Sequence, residues 1–225
     1  MAQVPDKFVI FIIHPKPVNM KLVFISLLSA ATLCSFMPDS GKGKIRLVID
    51  AAHGGNDNGA VSAAGDREST ITLQFANALA REAKAHNMEV VMTRKSEADY
   101  KTLEERAHLA PVDGTKTYFI SLHANSSQAK DPKQHGIEVI FTGVGKFAGE
   151  SSALAKKLTI NLRNSGINET NITDRGKSLE VIRDNNVPAI AIETGYMTNA
   201  EDLAKLKSPE YQRKIASLIV ASVLQ

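Results

Sequence analysis

The sequence predicts an α/β three-layer sandwich, a mixed and mostly parallel six-stranded sheet with helices on both faces. Three observations carry this. Short β-branched apolar runs alternate with longer segments of helical periodicity, the pattern of strands and helices packed in layers. Two of the strand-to-strand links contain no helix, so antiparallel steps are expected in the sheet. The first run, Ile45 to Ile49, stops abruptly in Asp50-Ala51-Ala52-His53-Gly54-Gly55. Open α/β sheets bind their ligands beyond that end of their strands.

In chain order, Ile45 to Ile49 is short, β-branched and bounded by a turn signal, so it reads as a buried strand. Two glycines after His53 let the backbone bend sharply and leave the imidazole uncovered. Asn56 to Gly65 is a loop of glycine and small residues. Glu68 to His86 has helical spacing, with Ile71, Phe75, Ala78, Leu79 and Ala83 on one face and Arg67, Gln74, Arg81 and Lys84 elsewhere. Met88 to Thr93 is a second strand, and Leu103 to Leu109 is a short helix ended by Pro111. Thr117 to Leu122 is a third strand stopping at His123, and Ile137 to Phe141 is a fourth. Phe147 to Asn164 is a long helix closed by Ser165-Gly166. Leu179 to Ile182 and Ala189 to Ile192 are a fifth and a sixth strand, and Tyr211 to Leu224 is a closing amphipathic helix. The helix-free links join strand three to four and strand five to six. Two reversals restore the original direction, so Glu193, after strand six, is expected on the same rim as His53 and His123.

The chain has 225 residues, enough for one domain of ordinary size and something extra. Before the domain the composition changes. Phe8 to Ile13 is apolar but short, and His14-Pro15-Lys16-Pro17 breaks it. Met20-Lys21 precedes an apolar stretch from Leu22 to Leu33. A positive start and an apolar core of about 7–15 residues form the secretory leader pattern. A membrane span needs about 20 residues. Residues 1–19 are therefore expected to be an upstream extension, 20–36 a signal peptide or lipoprotein-type leader, 37–43 a turn-rich linker and 44–225 the catalytic domain. Finding Val4 or Phe8 in the sequenced mature protein would sink this reading. Cys34 stands where a bacterial lipoprotein carries its lipidated cysteine, although Leu33 departs from the usual small residue before it. Lipidation, plain cleavage, a retained membrane anchor and a core segment over residues 8–33 all stay open.

Composition narrows the function. Aromatics at 5% and the absence of Trp argue against a carbohydrate-stacking platform rich in aromatic rings. Net charge is +3, from 27 basic and 24 acidic residues, which is no nucleic-acid footprint. A single cysteine excludes an intrachain disulfide and a cysteine-based zinc site.

His53, Glu68, His123 and Glu193 collect on one rim. Two neutral imidazoles and one carboxylate are the protein ligands of a catalytic zinc, which keeps a further position for water. A second carboxylate beside them takes the water's proton. Singly, each has a plainer reading. A histidine after a strand is usually a hydrogen-bonded loop residue, and Glu68 suits the first turn of a helix on charge alone. A carboxylate ending the apolar strand Ala189-Ile190-Ala191-Ile192 needs a partner or a reason. His14, His86, His108 and His135 lack such settings and read as surface or structural, and Cys34 reads as non-catalytic.

Ile49-Asp50-Ala51-Ala52-His53-Gly54-Gly55 with Asn58-Gly59-Ala60 resembles the opening motif of the zinc-dependent N-acetylmuramoyl-L-alanine amidases, the amidase type 3 family. Glu68 matches that family's glutamate ligand, and Ser121-Leu122-His123-Ala124-Asn125 its second histidine motif. Pro188 to Asn199 is similar to its closing motif, which carries the catalytic glutamate. Ala51 and Ala52 stand where many members have Pro or Gly. The resemblance implies Zn²⁺ on His53, Glu68 and His123, and Glu193 as general base and then acid. It implies hydrolysis of the amide between N-acetylmuramic acid and L-alanine in peptidoglycan, by an exported monomer acting in the periplasm or cell envelope. Asn125, Arg94 and Arg175 are candidates for holding substrate carboxylates or carbonyls, beside the plainer reading of each as a structural residue. Some members carry an inserted helix that plugs the zinc site; the segment from Phe141 to Leu179 reads as one helix and a short loop, and no plug is expected. Two rivals stand beside this reading: a zinc hydrolase of the same fold acting on another amide or peptide, and a non-catalytic wall-binding module.

Overall fold

The computed structural model describes residues 44–127 and 131–225. The expected extension, leader and linker, with Cys34, lie outside them. In chain order the elements are β1 (Arg46–Ala51), α1 (Glu68–Ala85), β2 (Glu89–Met92), α2 (Leu103–Ala107), β3 (Thr117–Asn125), β4 (Ile137–Phe141), α3 (Ala148–Asn164), β5 (Thr170–Asp174), α4 (Glu180–Arg183), β6 (Ala189–Tyr196), α5 (Ala200–Leu206) and α6 (Pro209–Leu224). No helix among the described residues is long and apolar enough to cross a membrane.

The six strands form one sheet in the order β2-β1-β3-β6-β4-β5. β1 pairs in parallel with β2 and β3, and β3 with β6. β4 is antiparallel to β6, and β5 is parallel to β4. The two expected reversals are present, and β6 runs with β1 and β3.

The fifth strand is not where the sequence placed it. Leu179–Ile182 enters the short helix α4, and β5 is the polar segment Thr170–Asp174. Val181 and Ile182 are apolar because they pack under the sheet with Val48, Phe119 and Ile140. A short apolar run does not distinguish strand from helix by periodicity. The segment from Phe141 to Leu179 therefore holds α3 and β5. α5 is a further helix, capped by Asn199, whose Oδ1 accepts the Asp202 N–H at 3.0 Å. β3 and β6 also run further than expected, so His123 and Glu193 lie inside strands rather than just past them.

The two faces of the sheet are covered unequally. Leu47, Ile49, Ile120, Ile190 and Ile192 pack against α1, α3 and α6 in the larger core. The opposite face carries the smaller cluster around Val48, Phe119, Ala189, Ala191 and Ile140, beneath α2 and α4. Each large side chain fully buried in these layers contributes about 1.5–3 kcal/mol. Alternate strand residues share a face. His123 therefore continues the row of Phe119 and Ser121, and Glu193 continues Ala189 and Ala191. Glu138 stands in register with Glu193 on the neighbouring strand. This row emerges where the cover of the two short helices ends.

Asp50 and Ser121 share that face under the site. The fully buried Asp50 carboxylate accepts hydrogen bonds from Thr93 Oγ1 (2.9 Å), Ser121 Oγ (2.7 Å) and Arg106 Nη1 (3.2 Å). Every oxygen of this buried acid is thus occupied inside the protein.

Candidate metal centre

β1 delivers His53 through a tight turn. His53 has φ of 64°, in the left-handed region that non-glycine residues seldom adopt. Holding it there costs on the order of 1–3 kcal/mol. The turn is closed by Gly54 N–H to Asp57 O (2.9 Å) and Asp57 N–H to Gly54 O (3.0 Å). A Cβ on Gly54 would lie 2.4 Å from the Asp99 carbonyl oxygen, and Gly54 itself has φ of 122°. Only glycine fits there.

The same loop returns to supply Asp57, whose Oδ2 lies 2.8 Å from His53 Nδ1. The other ring nitrogen, Nε2, is 3.0 Å from Glu68 Oε2. Glu68 opens α1, yet its carboxylate does not cap that helix. Its Oε2 accepts the Ala60 N–H at 3.0 Å, and its Oε1 accepts the Ala124 N–H at 3.2 Å. His123 Nδ1 lies 3.2 Å from Glu68 Oε1. The two imidazoles stand nearly perpendicular, at 82°, with centroids 5.6 Å apart. One nitrogen from each histidine and one Glu68 oxygen lie within 4.8 Å of one another.

Glu193 stands next to His123 across the β3–β6 ladder. Its Oε2 is buried and has no hydrogen-bond partner among the described residues. Burial favours the protonated carboxyl, and Glu68 and Glu138 add to this against the opposing pull of His123, so its pKa is raised. Burial works against a charged His53, but Glu68 and Asp57 outweigh it and push the ring up to about 9. His123 is raised on the same balance, burial being outweighed mainly by Glu68. Burial opposes the Glu68 carboxylate, yet both histidines hold it well below the usual range. The protein thus gathers a fixed anion between two basic rings. That donor set fits a divalent cation of the zinc class, with Asp57 bonded to the far nitrogen of a ligand histidine in the usual supporting arrangement.

The family model described as N-acetylmuramoyl-L-alanine amidase matches residues 47–225. The chain belongs to this family. Among solved structures, this amidase is similar to the N-acetylmuramoyl-L-alanine amidase of Clostridium difficile 630, with a TM-score of 0.73 and 28% identity, covering 81% of this chain and 96% of that one. It is similar to AmiC2 of Nostoc punctiforme at a TM-score of 0.67 and 32% identity, covering 82% and 97%. It is 33% identical over 178 residues to the uncharacterized protein YqiI of Bacillus subtilis (strain 168), which covers 78% of this chain and 81% of that protein. Other curated relatives are longer: the amidase spans 34% of one and 50% of another.

The structure sorts the expected residues of this amidase. His53, Glu68, His123 and Glu193 come together. Asn125 ends β3 two residues beyond His123, its Oδ1 taken by the Ser126 N–H at 2.8 Å. Arg175 is exposed, with Nη2 on Glu138. Arg94 takes the structural one of its two readings. Its guanidinium is buried, with Nε donating to Ala51 O (2.9 Å) and Nη2 to Ala52 O (3.0 Å) and Ser69 O (2.5 Å). It braces the chain just before His53 to the chain just after Glu68, and offers nothing to a substrate carboxylate. Asp57, which joins the cluster through His53, is a residue that sequence reasoning did not single out. Its one signal is its position four residues after His53, inside a glycine-bounded loop.

Proposed function

We propose that this amidase holds Zn²⁺ on His53, Glu68 and His123 and hydrolyses the amide joining the lactyl group of N-acetylmuramic acid to L-alanine of the peptidoglycan stem peptide. Family membership supports the bond. The observation that carries the chemistry is the convergence of three donor atoms within 4.8 Å beside the unpartnered Glu193 oxygen. When bound, the cation supplies Lewis-acid polarisation of the amide carbonyl and activation of the attacking water. Glu193 takes the water's proton on its carboxylate and delivers it to the departing nitrogen, as general base and then acid. Its raised proton affinity suits both halves of that transfer. Asn125 lies on the same strand as His123 and offers its side-chain amide to a substrate carbonyl. The enzyme acts on the cell envelope, after export by a leader over residues 20–36.

The test is metal content of the purified protein together with mass analysis of digested peptidoglycan. Release of free stem peptide by zinc-loaded protein is expected. Zinc without release would favour the rival hydrolase of another amide, and neither would favour a wall-binding module. Asp57→Asn should weaken zinc affinity by about 10–100-fold, because it removes the charge that orients His53 and strengthens it as a donor. Chelator competition reads this directly. An unchanged affinity would leave Asp57 as a turn residue only.

A further inference from the structure

The two sides of the sheet face that carries Glu193 differ in chemistry. On the β4–β5 side, Glu138 Oε1 accepts a hydrogen bond from Thr173 Oγ1 at 2.5 Å, and Glu138 Oε2 one from Arg175 Nη2 at 3.2 Å. Glu138 is largely covered, whereas the Arg175 side chain is 48% exposed. Among the described residues only its Nη2 forms hydrogen bonds, so a fixed cation presents its remaining N–H edge to solvent. Neighbouring strands lie about 4.8 Å apart, which puts β5 about 10 Å from the β6 strand of Glu193.

On the β1 side the loop after β2 packs against the turn that bears His53. Gly55 N–H donates to Glu97 O at 2.8 Å. The loop is closed on itself by Asp99 Oδ2, which accepts the N–H of Lys95 (2.9 Å) and Ser96 (3.0 Å). A Cβ on Gly55 would lie 3.0 Å from Tyr100 Cβ, yet the Tyr100 residue is 58% exposed. A single aromatic ring, held from behind, thus stands beside the ligand turn.

The substrate also has two unlike ends about its scissile amide. A sugar ring has an apolar C–H face that suits an aromatic surface. A stem peptide carries carboxylates that suit a guanidinium. We propose that the substrate lies across the site in one sense, with the glycan on the β1 side against Tyr100 and the stem peptide leading over β6 and β4 to Arg175, which takes a peptide carboxylate. This rests on the amidase reading above.

Four soluble substrates test it with the zinc-loaded enzyme: disaccharide-peptide and tetrasaccharide-peptide, each with a free α-carboxylate or a carboxamide at the second peptide residue. The wild type should favour the carboxylate by about tenfold in kcat/KM, as expected of a charged hydrogen bond. Arg175→Gln should abolish that preference and leave the glycan-length effect. Tyr100→Ala should keep the preference but lose the gain from the longer glycan, chiefly through KM, and Tyr100→Phe should restore it. A loss that is equal on carboxylate and carboxamide would make Arg175 a support for Glu138 and overturn its role. Crossed effects, or unchanged ratios in both variants, overturn the orientation. A wild type that cleaves all four without preference also defeats the orientation but leaves the amidase reading standing. A wild type that cleaves none defeats both.

Discussion

Glu193→Gln is expected to lower kcat by about 10²–10⁴-fold, the range supplied by a positioned acid–base group. That corresponds to about 2.7–5.5 kcal/mol of barrier at 1.36 kcal/mol per decade. Zinc content should be unchanged, because the three converging donors are His53, Glu68 and His123. KM should move little, since a carboxamide fills the same space. Thermal stability should be equal or higher, because the wild-type Oε2 is buried without a partner and burial disfavours its charge. Rate and metal content measured on one preparation separate the outcomes. A variant that cleaves at the wild-type rate removes Glu193 as the base. A variant that loses zinc moves Glu193 into the coordination set instead.

The position of Glu193 could be reasoned from the sequence because direction in a sheet obeys parity. Two helix-free links imply two reversals, and the rim follows without knowing the strand order. The second reversal is present although its link is not helix-free, since β5 lies nine residues earlier than expected and α4 stands between it and β6. β5 itself was hard to read for a physical reason. It is an edge strand paired only with β4, so Thr170-Asn171-Ile172-Thr173-Asp174 has one apolar position turned to the core and little else to mark it. α4 was misread for the converse reason, since one buried turn and one buried strand make the same apolar demand.

At the site, residues whose chemistry is unusual for their place were legible. A histidine between a strand and two glycines and a carboxylate ending an apolar strand both call for a partner. Asp57 was not legible, because an aspartate in a glycine-rich loop is ordinary turn chemistry. Its role comes from a backbone that doubles back, with His53 in a left-handed conformation. Arg94 was open to two readings, structural and substrate-holding, and nothing in the residue's identity decided between them. In the fold its partners are main-chain carbonyls, which leave no trace in side-chain identity.

Arg94→Ala is the second large effect, and it falls on folding. Loss of the guanidinium leaves the Ala51 carbonyl without its Arg94 partner in a buried region, and Ala52 O and Ser69 O then share the single Thr72 Oγ1 hydroxyl, at 2.9 and 3.1 Å. Each buried group left unpaired costs about 1–3 kcal/mol. With about two groups short of a partner, a total of about 2–5 kcal/mol is expected, a large part of the roughly 5–15 kcal/mol that holds a domain folded. Denaturant unfolding in the presence of chelator reads this without the stabilisation that bound zinc would add. Arg94→Lys should not rescue it, because one ammonium on a flexible stem cannot reproduce a planar fork spanning Ala51, Ala52 and Ser69. Zinc affinity should fall too, since those carbonyls flank the backbone of His53 and Glu68 and the brace sets the distance between them. A normally stable Arg94→Ala protein with only a raised KM would return the residue to substrate binding. The brace also helps a strained His53 to persist, because the turn is held at its base by a buried cation.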